Sequence, residues 1–111
     1  PDTGTMFIAI NLNNRKNKNE KYYVNPTKQK WFSAKNFRKA IDYAIDRQGL
    51  VNNIANGLAE PLFTAESLNS IYLNKNLSKG HKRDLAYAKD LLHKSGFYLN
   101  NNILSIIRIF W

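Results

Sequence analysis

Between Trp31 and Arg47 the apolar residues Phe37, Ala40, Ile41, Ala44 and Ile45 recur at i, i+3, i+4, i+7 and i+8, which puts them on one stripe of an α-helix. Such a stripe must be covered, so the fold has to bring other apolar surface against it. Ser33 stands just before it as an N-cap candidate, able to accept from an unpaired amide of the first turn. Trp31 and Phe32 precede Ser33 where a hydrophobic staple would sit. Asp46 is predicted to end this helix and to cap a second one, whose inner face is Leu50, Val51, Ile54 and Ala55. Gly57 then supplies the left-handed residue that closes a helix. A third helix is predicted from Asp84, with Leu85, Ala88, Leu91 and Leu92 buried and Gly96 as its stop.

Strand signals are fewer. Met6 to Leu12 is a short run rich in apolar, β-branched and aromatic residues and reads as a buried strand. Residues 13–30 have the opposite character: Asn, Lys and Arg dominate, no period could bury a face, and a solvated loop or insertion is expected. From Leu58 to Gly80 periodicity is again lost, and a long connection pinned by Leu62, Phe63, Ile71 and Tyr72 is expected. Asn100, Asn101 and Asn102 read as a turn before a final strand over Ile103 to Trp111, which carries apolar residues on both faces and needs cover on each.

The 111 residues suffice for one domain with one core. The chain opens at Pro1 and closes at Trp111 inside an apolar run, and it is expected to be a piece of a larger protein. Seventeen Lys and Arg against eight Asp and Glu give a net charge of +9, a value that raises the question of a nucleic-acid or anionic-membrane partner. Nine of the seventeen fall between Arg15 and Lys39, opposed only by Glu20. Abundant Asn, Lys and Ile are also what A/T-rich codons supply, so the charge needs no anionic ligand to explain it. The absence of cysteine excludes disulfides and thiolate metal sites within the chain. No segment approaches the roughly 20 apolar residues of a membrane helix.

Catalytic constellations are missing. Asp42 and Asp46 are four apart and could imitate an acid/base pair on one helix face. Asp46, however, stands where a cap is wanted, and Lys39 and Arg47 are near enough to neutralise both. His81 and His93 lack the spacing that would aim two imidazoles at one metal, and there is no phosphate-cradling glycine loop or nucleophile elbow. The aromatics Trp31, Phe32, Phe37, Tyr43, Phe63, Tyr72, Phe97 and Tyr98 could stack bases between basic residues, but they are more simply explained as core. Arg38 lies off the apolar stripe, with a surface ion pair to Asp42 as its default role.

One ordered set of short motifs goes further than these patterns. An aromatic at Phe37 is followed by Arg38-Lys39-Ala40, Ala44-Ile45-Asp46-Arg47, Gly57-Leu58-Ala59-Glu60-Pro61, Ala88-Lys89-Asp90-Leu91-Leu92 and Gly96-Phe97. In that order they resemble the family 5 extracellular solute-binding proteins, the peptide- and nickel-binding subunits of bacterial ABC importers. The resemblance implies an α/β chain with a type II periplasmic-binding-protein-like fold, in which two lobes close on a ligand about a hinge. Residues 1–111 would be a fragment of the second lobe, with about three helices and two or more strands. Residues 13–30 would be a loop or insertion, and 103–111 a tail outside the motifs.

The implied function is capture of a peptide or similar small solute, held largely through its backbone, and its delivery to ABC permease subunits. The implied location is the periplasm or the outer face of the cytoplasmic membrane. No enzyme activity, cofactor or specific nucleic-acid partner is expected. Thr5 and Phe7, on the strand assigned to the hinge, are the candidate ligand-facing residues; burial of Phe7 in the core is the competing role. A small basic nucleic-acid-binding module using Arg15 to Lys39, and a structural remnant that binds nothing, stay open as alternatives.

If the charge is compositional, DNA or RNA should bind only weakly, with a Kd on the order of 10⁻⁴ to 10⁻⁶ M near physiological salt, and binding should fall steeply as salt rises. Filter binding across a salt series checks this; sequence-selective nanomolar binding contradicts it.

Overall fold

The computed structural model describes residues 4–100 and 103–106. Among these are helices α1 (Pro26–Ser33), α2 (Lys35–Ala44), α3 (Arg47–Asn53), α4 (Lys75–Ser78) and α5 (Leu85–Lys94), and strands β1 (Phe97–Asn100) and β2 (Ile103–Ile106). They fall into two compact units. Residues 9–44 with those from 84 onward form one, and residues 4–8 with 45–83 form the other.

The first unit is organised around α2 and α5. The apolar stripe of α2 buries Phe37 and Ala40, that of α5 buries Ala88 and Leu91, and Ala40, Ala88 and Leu91 make one cluster. Two alanines there let the helices meet over small side chains. Tyr43 and Tyr87 extend the contact as an edge-to-face pair with centroids 4.7 Å apart. Asp84 caps α5 as the sequence predicts, its carboxylate accepting from the Tyr87 amide at 2.8 Å. Its own amide donates to the Tyr43 carbonyl at 3.0 Å, tying the start of α5 to the end of α2. Leu85, however, is 48% exposed rather than buried. At the other end of α5, Lys94 and Asp90 are 2.6 Å apart, and the hydrogen bond that Lys94 donates to the Asp90 carboxylate, followed by that carboxylate's charge, raises the Lys94 pKa above the ordinary lysine value.

Gly96, at φ 79°, stops α5 and turns the chain into β1. Phe97 then becomes the most deeply buried large side chain, 1% exposed. Its ring lies 5.0 Å from Phe37 and 5.9 Å edge-on from Trp31. β1 pairs antiparallel with β2 in a register that sets Phe97 against Ile106 and Asn100 against Ile103. The strand at 97–100 follows the predicted stop at Gly96 and takes in Asn100, which the sequence assigns to a turn; Asn101 and Asn102 lie outside the described residues. The remainder of the predicted final strand, 107–111, lies outside the described residues.

Three further expectations are corrected. Ser33 does not cap α2: it is the last residue of α1, its hydroxyl accepts from the Gln29 side-chain Nε2 at 2.9 Å, and extended Ala34 separates the two helices. Trp31 and Phe32 accordingly sit inside α1 and not ahead of a cap. Residues 26–30 are helical where a loop is expected, because Asn25 accepts from the Thr27 and Lys28 amides and Pro26 fills the first helical position. The polar stretch before it is ordered locally by Asn side chains: Asn11, Asn13 and Asn17 each accept from an amide two residues on. A bridge between Lys16 and Tyr22 closes a turn there, with Glu20 at φ 58°.

The third correction concerns Met6 to Leu12, which forms no strand. Met6, Phe7 and Ile8 are 84%, 81% and 72% exposed. A strand needs a neighbour to take its backbone hydrogen bonds, and among the described strands β1 and β2 pair only with each other.

In the second unit Asp46 caps α3 as predicted, and Asn56 and Gly57 both take positive φ at its end. Of the predicted inner face Val51 is buried, whereas Leu50 and Ile54 are 48% and 64% exposed. Along 58–80 Leu62 and Phe63 are half-buried, but Ile71 and Tyr72 are exposed and pin nothing. Short α4 interrupts this connection, with Asn74 as its cap. Among the described residues no helix is long and apolar enough to cross a membrane.

Leu91→Ala should cost about 2–5 kcal/mol by leaving a cavity between α2 and α5, and Asp84→Ala about 1 kcal/mol by removing a cap. Urea unfolding followed by circular dichroism measures both; equal losses would show that the α2–α5 contact does not dominate the core.

Candidate functional site

Within residues 45–83 the chain builds a cleft of ≈ 330 Å³ whose lining includes Ile45, Asp46, Arg47, Pro61, Phe63, His81, Lys82 and Arg83. Its construction starts at Asp46. The carboxylate accepts from the Gly49 amide at 2.9 Å, which begins α3 and makes Arg47 its first residue. Glycine at position 49 keeps that cap close, since a Cβ there would stand 2.8 Å from the Asp46 Oδ2. The same carboxylate lies 3.6 Å from the Arg83 guanidinium, an ion pair whose side chains are about half exposed.

Phe63 is the centre of the cleft. The Arg47 guanidinium carbon sits 4.7 Å from its ring centroid, a cation–π distance. The His81 imidazole approaches edge-on at 5.3 Å. What brings residues 81–83 round to Phe63 is Gly80, at φ 62°, where any Cβ would collide with the phenyl ring. Arg47, Lys82 and Arg83 line the same cleft as Asp46, on partly apolar walls. A second depression of ≈ 440 Å³ follows one side of α3 and is lined by Ile45, Leu50 and Ile54 among others.

The arrangement offers binding chemistry. Asp42 and Asp46 do not share a helix, because α2 ends at Ala44, so the four-residue spacing no longer places them on one face. Asp46 serves as cap and ion-pair partner. His93 is exposed in the last turn of α5, and among the described residues no group of His, Cys, Asp and Glu could hold a metal ion.

Thr5 and Phe7 are both exposed, so Phe7 is not the core residue that its composition allows. Arg38 donates to the Phe32 and Ser33 carbonyls at 2.6 and 2.8 Å, closing the C-terminal end of α1; this role replaces a mere surface pair as its account. Other members of the basic cluster also have local partners. Lys16 meets Glu20 at 3.0 Å and the Tyr22 ring, and Lys39 reaches the Tyr87 hydroxyl at 3.5 Å. The aromatics Trp31, Phe32, Phe37, Tyr43 and Phe97 pack on one another or on Tyr87, while Tyr72 is 80% exposed.

The grouping of Arg47, Phe63, His81 and Arg83 is not visible in the sequence. The run His81-Lys82-Arg83 is a signal of charge, but its convergence on Arg47 depends on the turn at Gly80.

A family model described as bacterial extracellular solute-binding proteins, family 5 Middle, matches residues 1–108. The match takes in both the polar stretch 13–30 and most of the tail from 103 on. No curated protein and no solved structure matches the chain.

Gly80→Ala should force the Phe63 ring out of place and strain a left-handed residue, at a cost of about 1–3 kcal/mol. Proton NMR would show the Phe63 ring-current shifts on His81 and Arg47 collapse; retention of those shifts would mean that the backbone, and not Gly80, sets the cleft.

Proposed function

The chain belongs to the bacterial extracellular solute-binding proteins of family 5, and we propose that it forms part of the second lobe of a receptor that captures a peptide or similar small solute. In this reading ligand is enclosed between two lobes that close about a hinge. It is then passed unaltered to ABC permease subunits at the membrane. The receptor works in the periplasm or on the outer face of the cytoplasmic membrane.

The match over residues 1–108 carries the proposal. It is supported by what the residues offer: a cleft with partly apolar walls of a size that could hold a small solute. The basic cluster between Arg15 and Lys39 does not favour the nucleic-acid alternative, since Lys16, Arg38 and Lys39 are engaged within the chain.

Thr5 and Phe7 are proposed as ligand contacts. Both stand out in solvent, where an incoming solute could cover them. A large aromatic that is 81% exposed contributes little to the core, so its burial is left for a ligand to accomplish.

Calorimetry of the polypeptide that carries this segment, against peptide and metal-chelate libraries, should show saturable binding to a peptide. Failure with both libraries together with clear nucleotide or nucleic-acid binding would sink the transport reading. Phe7→Ala should weaken that binding about tenfold, as truncation of an interface aromatic does, and leave the melting temperature nearly unchanged. Unaltered affinity would remove Phe7 from the site.

A further inference from the structure

We infer that the turn from Arg15 to Tyr23 is a docking surface for a layer of anionic phospholipid headgroups, an inference that does not rest on the peptide-capture reading. The turn is closed by its own backbone. The Tyr23 amide donates to the Arg15 carbonyl at 3.2 Å, the Asn17 amide to the Lys21 carbonyl at 2.8 Å, and Lys16 and Tyr22 are bridged. Asn17 holds the tip, its side-chain oxygen accepting from the Asn19 and Lys21 amides at 2.9 and 3.0 Å. Into this short loop the sequence puts Arg15, Lys16, Lys18 and Lys21 against one acid, Glu20. Glu20 is already engaged by Lys16 at 3.0 Å. Lys18 and Lys21 are exposed and make no ion pair among the described residues.

Tyr22 and Tyr23 give the turn a second character. They are 52% and 60% exposed, whereas Tyr43 and Tyr87 pack edge to face on each other. A tyrosine combines an apolar ring with a polar tip, which suits the boundary between headgroups and acyl chains. Lysines bring point charges on long apolar stems that lie along such a boundary, and each one close to an anionic leaflet adds to the attraction. Asn25 and Pro26 then start α1 at once, so the exposed Lys28 and Lys30 extend the basic stretch directly beyond the turn. Base composition accounts for the number of lysines, but not for a closed turn that keeps two aromatics in water beside them.

A nucleic acid fits this surface less well. Bases stack on open aromatic faces, and arginine forks hold phosphates in two-point contacts. Here the Lys16 ammonium stands 5.2 Å from the Tyr22 ring centroid and covers one face, and Arg15 is the one arginine of the turn.

The test is sedimentation of the 111-residue chain with sucrose-loaded vesicles at about 0.1 M salt, where charges still act over about 10 Å. Vesicles of equimolar phosphatidylglycerol and phosphatidylcholine should carry the chain down, pure phosphatidylcholine vesicles should not, and binding should fall as salt rises. Lys18→Gln with Lys21→Gln should lower the partition coefficient about 25-fold, at about fivefold for each lysine. Lys75→Gln with Lys79→Gln, the same change of net charge at exposed positions outside the turn, should leave it nearly unchanged. Tyr23→Ser should weaken binding without altering its dependence on salt. All these positions are exposed, and the circular dichroism of each variant should match the parent's. Equal binding to the two kinds of vesicle overturns the inference, as does an equal loss in the two lysine pairs. An unchanged partition in Tyr23→Ser overturns the contact with the headgroup boundary. Single-stranded RNA that strips the chain from the vesicles at equal phosphate concentration overturns the choice of lipid over nucleic acid. Peptide binding measured by calorimetry is a separate readout, so either reading can fail alone.

Discussion

The contact between α2 and α5 through Ala40, Ala88 and Leu91 is the constraint on which the larger unit depends. Ala40 and Ala88 are 3% and 4% exposed, and alanines at the crossing let the two backbones come close. Several features require that approach. The Asp84 amide reaches the Tyr43 carbonyl, Tyr43 and Tyr87 meet edge to face, and α5 ends where Gly96 can deliver Phe97 against Phe37 and Trp31. Larger residues at 40 or 88 would push the helices apart and separate these partners together, because packed interiors have no slack to absorb added volume.

The motifs that carry the family resemblance are largely these same positions. Arg38 closes the end of α1, Ala40, Ala88 and Leu91 form the helix crossing, Asp46 caps α3, Gly57 and Gly96 take positive φ, and Phe97 fills the core. Each role fixes backbone geometry. Pro61 and Arg47 are the motif residues that also border the cleft. A signature made of caps, stops and packing residues identifies a family readily and says little about ligand chemistry, which rests on side chains that members of a family can vary on a common frame.

The two units are ordered in different ways. In the first, buried apolar residues share a helix crossing and an aromatic cluster. In the second, Val51 is the buried apolar residue among those described, while Leu58, Ile71 and Tyr72 are 92%, 89% and 80% exposed. Its order comes from caps at Asp46 and Asn74, from serine side chains accepting amides two residues on, and from the group around Phe63. Local hydrogen bonds of that kind fix turns well but bury little apolar area, so they add less to stability than a core does.

What the sequence by itself determined were the features whose causes are local. The α2 and α5 stripes, the caps at Asp46 and Asp84 and the stops at Gly57 and Gly96 each depend on residues within a turn or two of one another, and they stand where their spacing puts them except at Leu85, which is exposed, and Ile45, which lies past the end of α2. The start of α1 was equally local, in Asn25 and Pro26, but was hidden by the surrounding charge. The tertiary structure alone decided the rest. Met6 to Leu12 has strand composition yet no partner strand among the described residues, while Phe97 to Asn100 becomes a strand because Ile103 to Ile106 pairs with it. The cleft follows the same rule: Arg47, Phe63 and Arg83 are far apart along the chain, and the close approach of Gly80 to Phe63 helps bring residues 81–83 to the others. A capping residue or a periodic stripe acts on its own neighbours, whereas a strand or a binding site exists only once distant residues have supplied its other half.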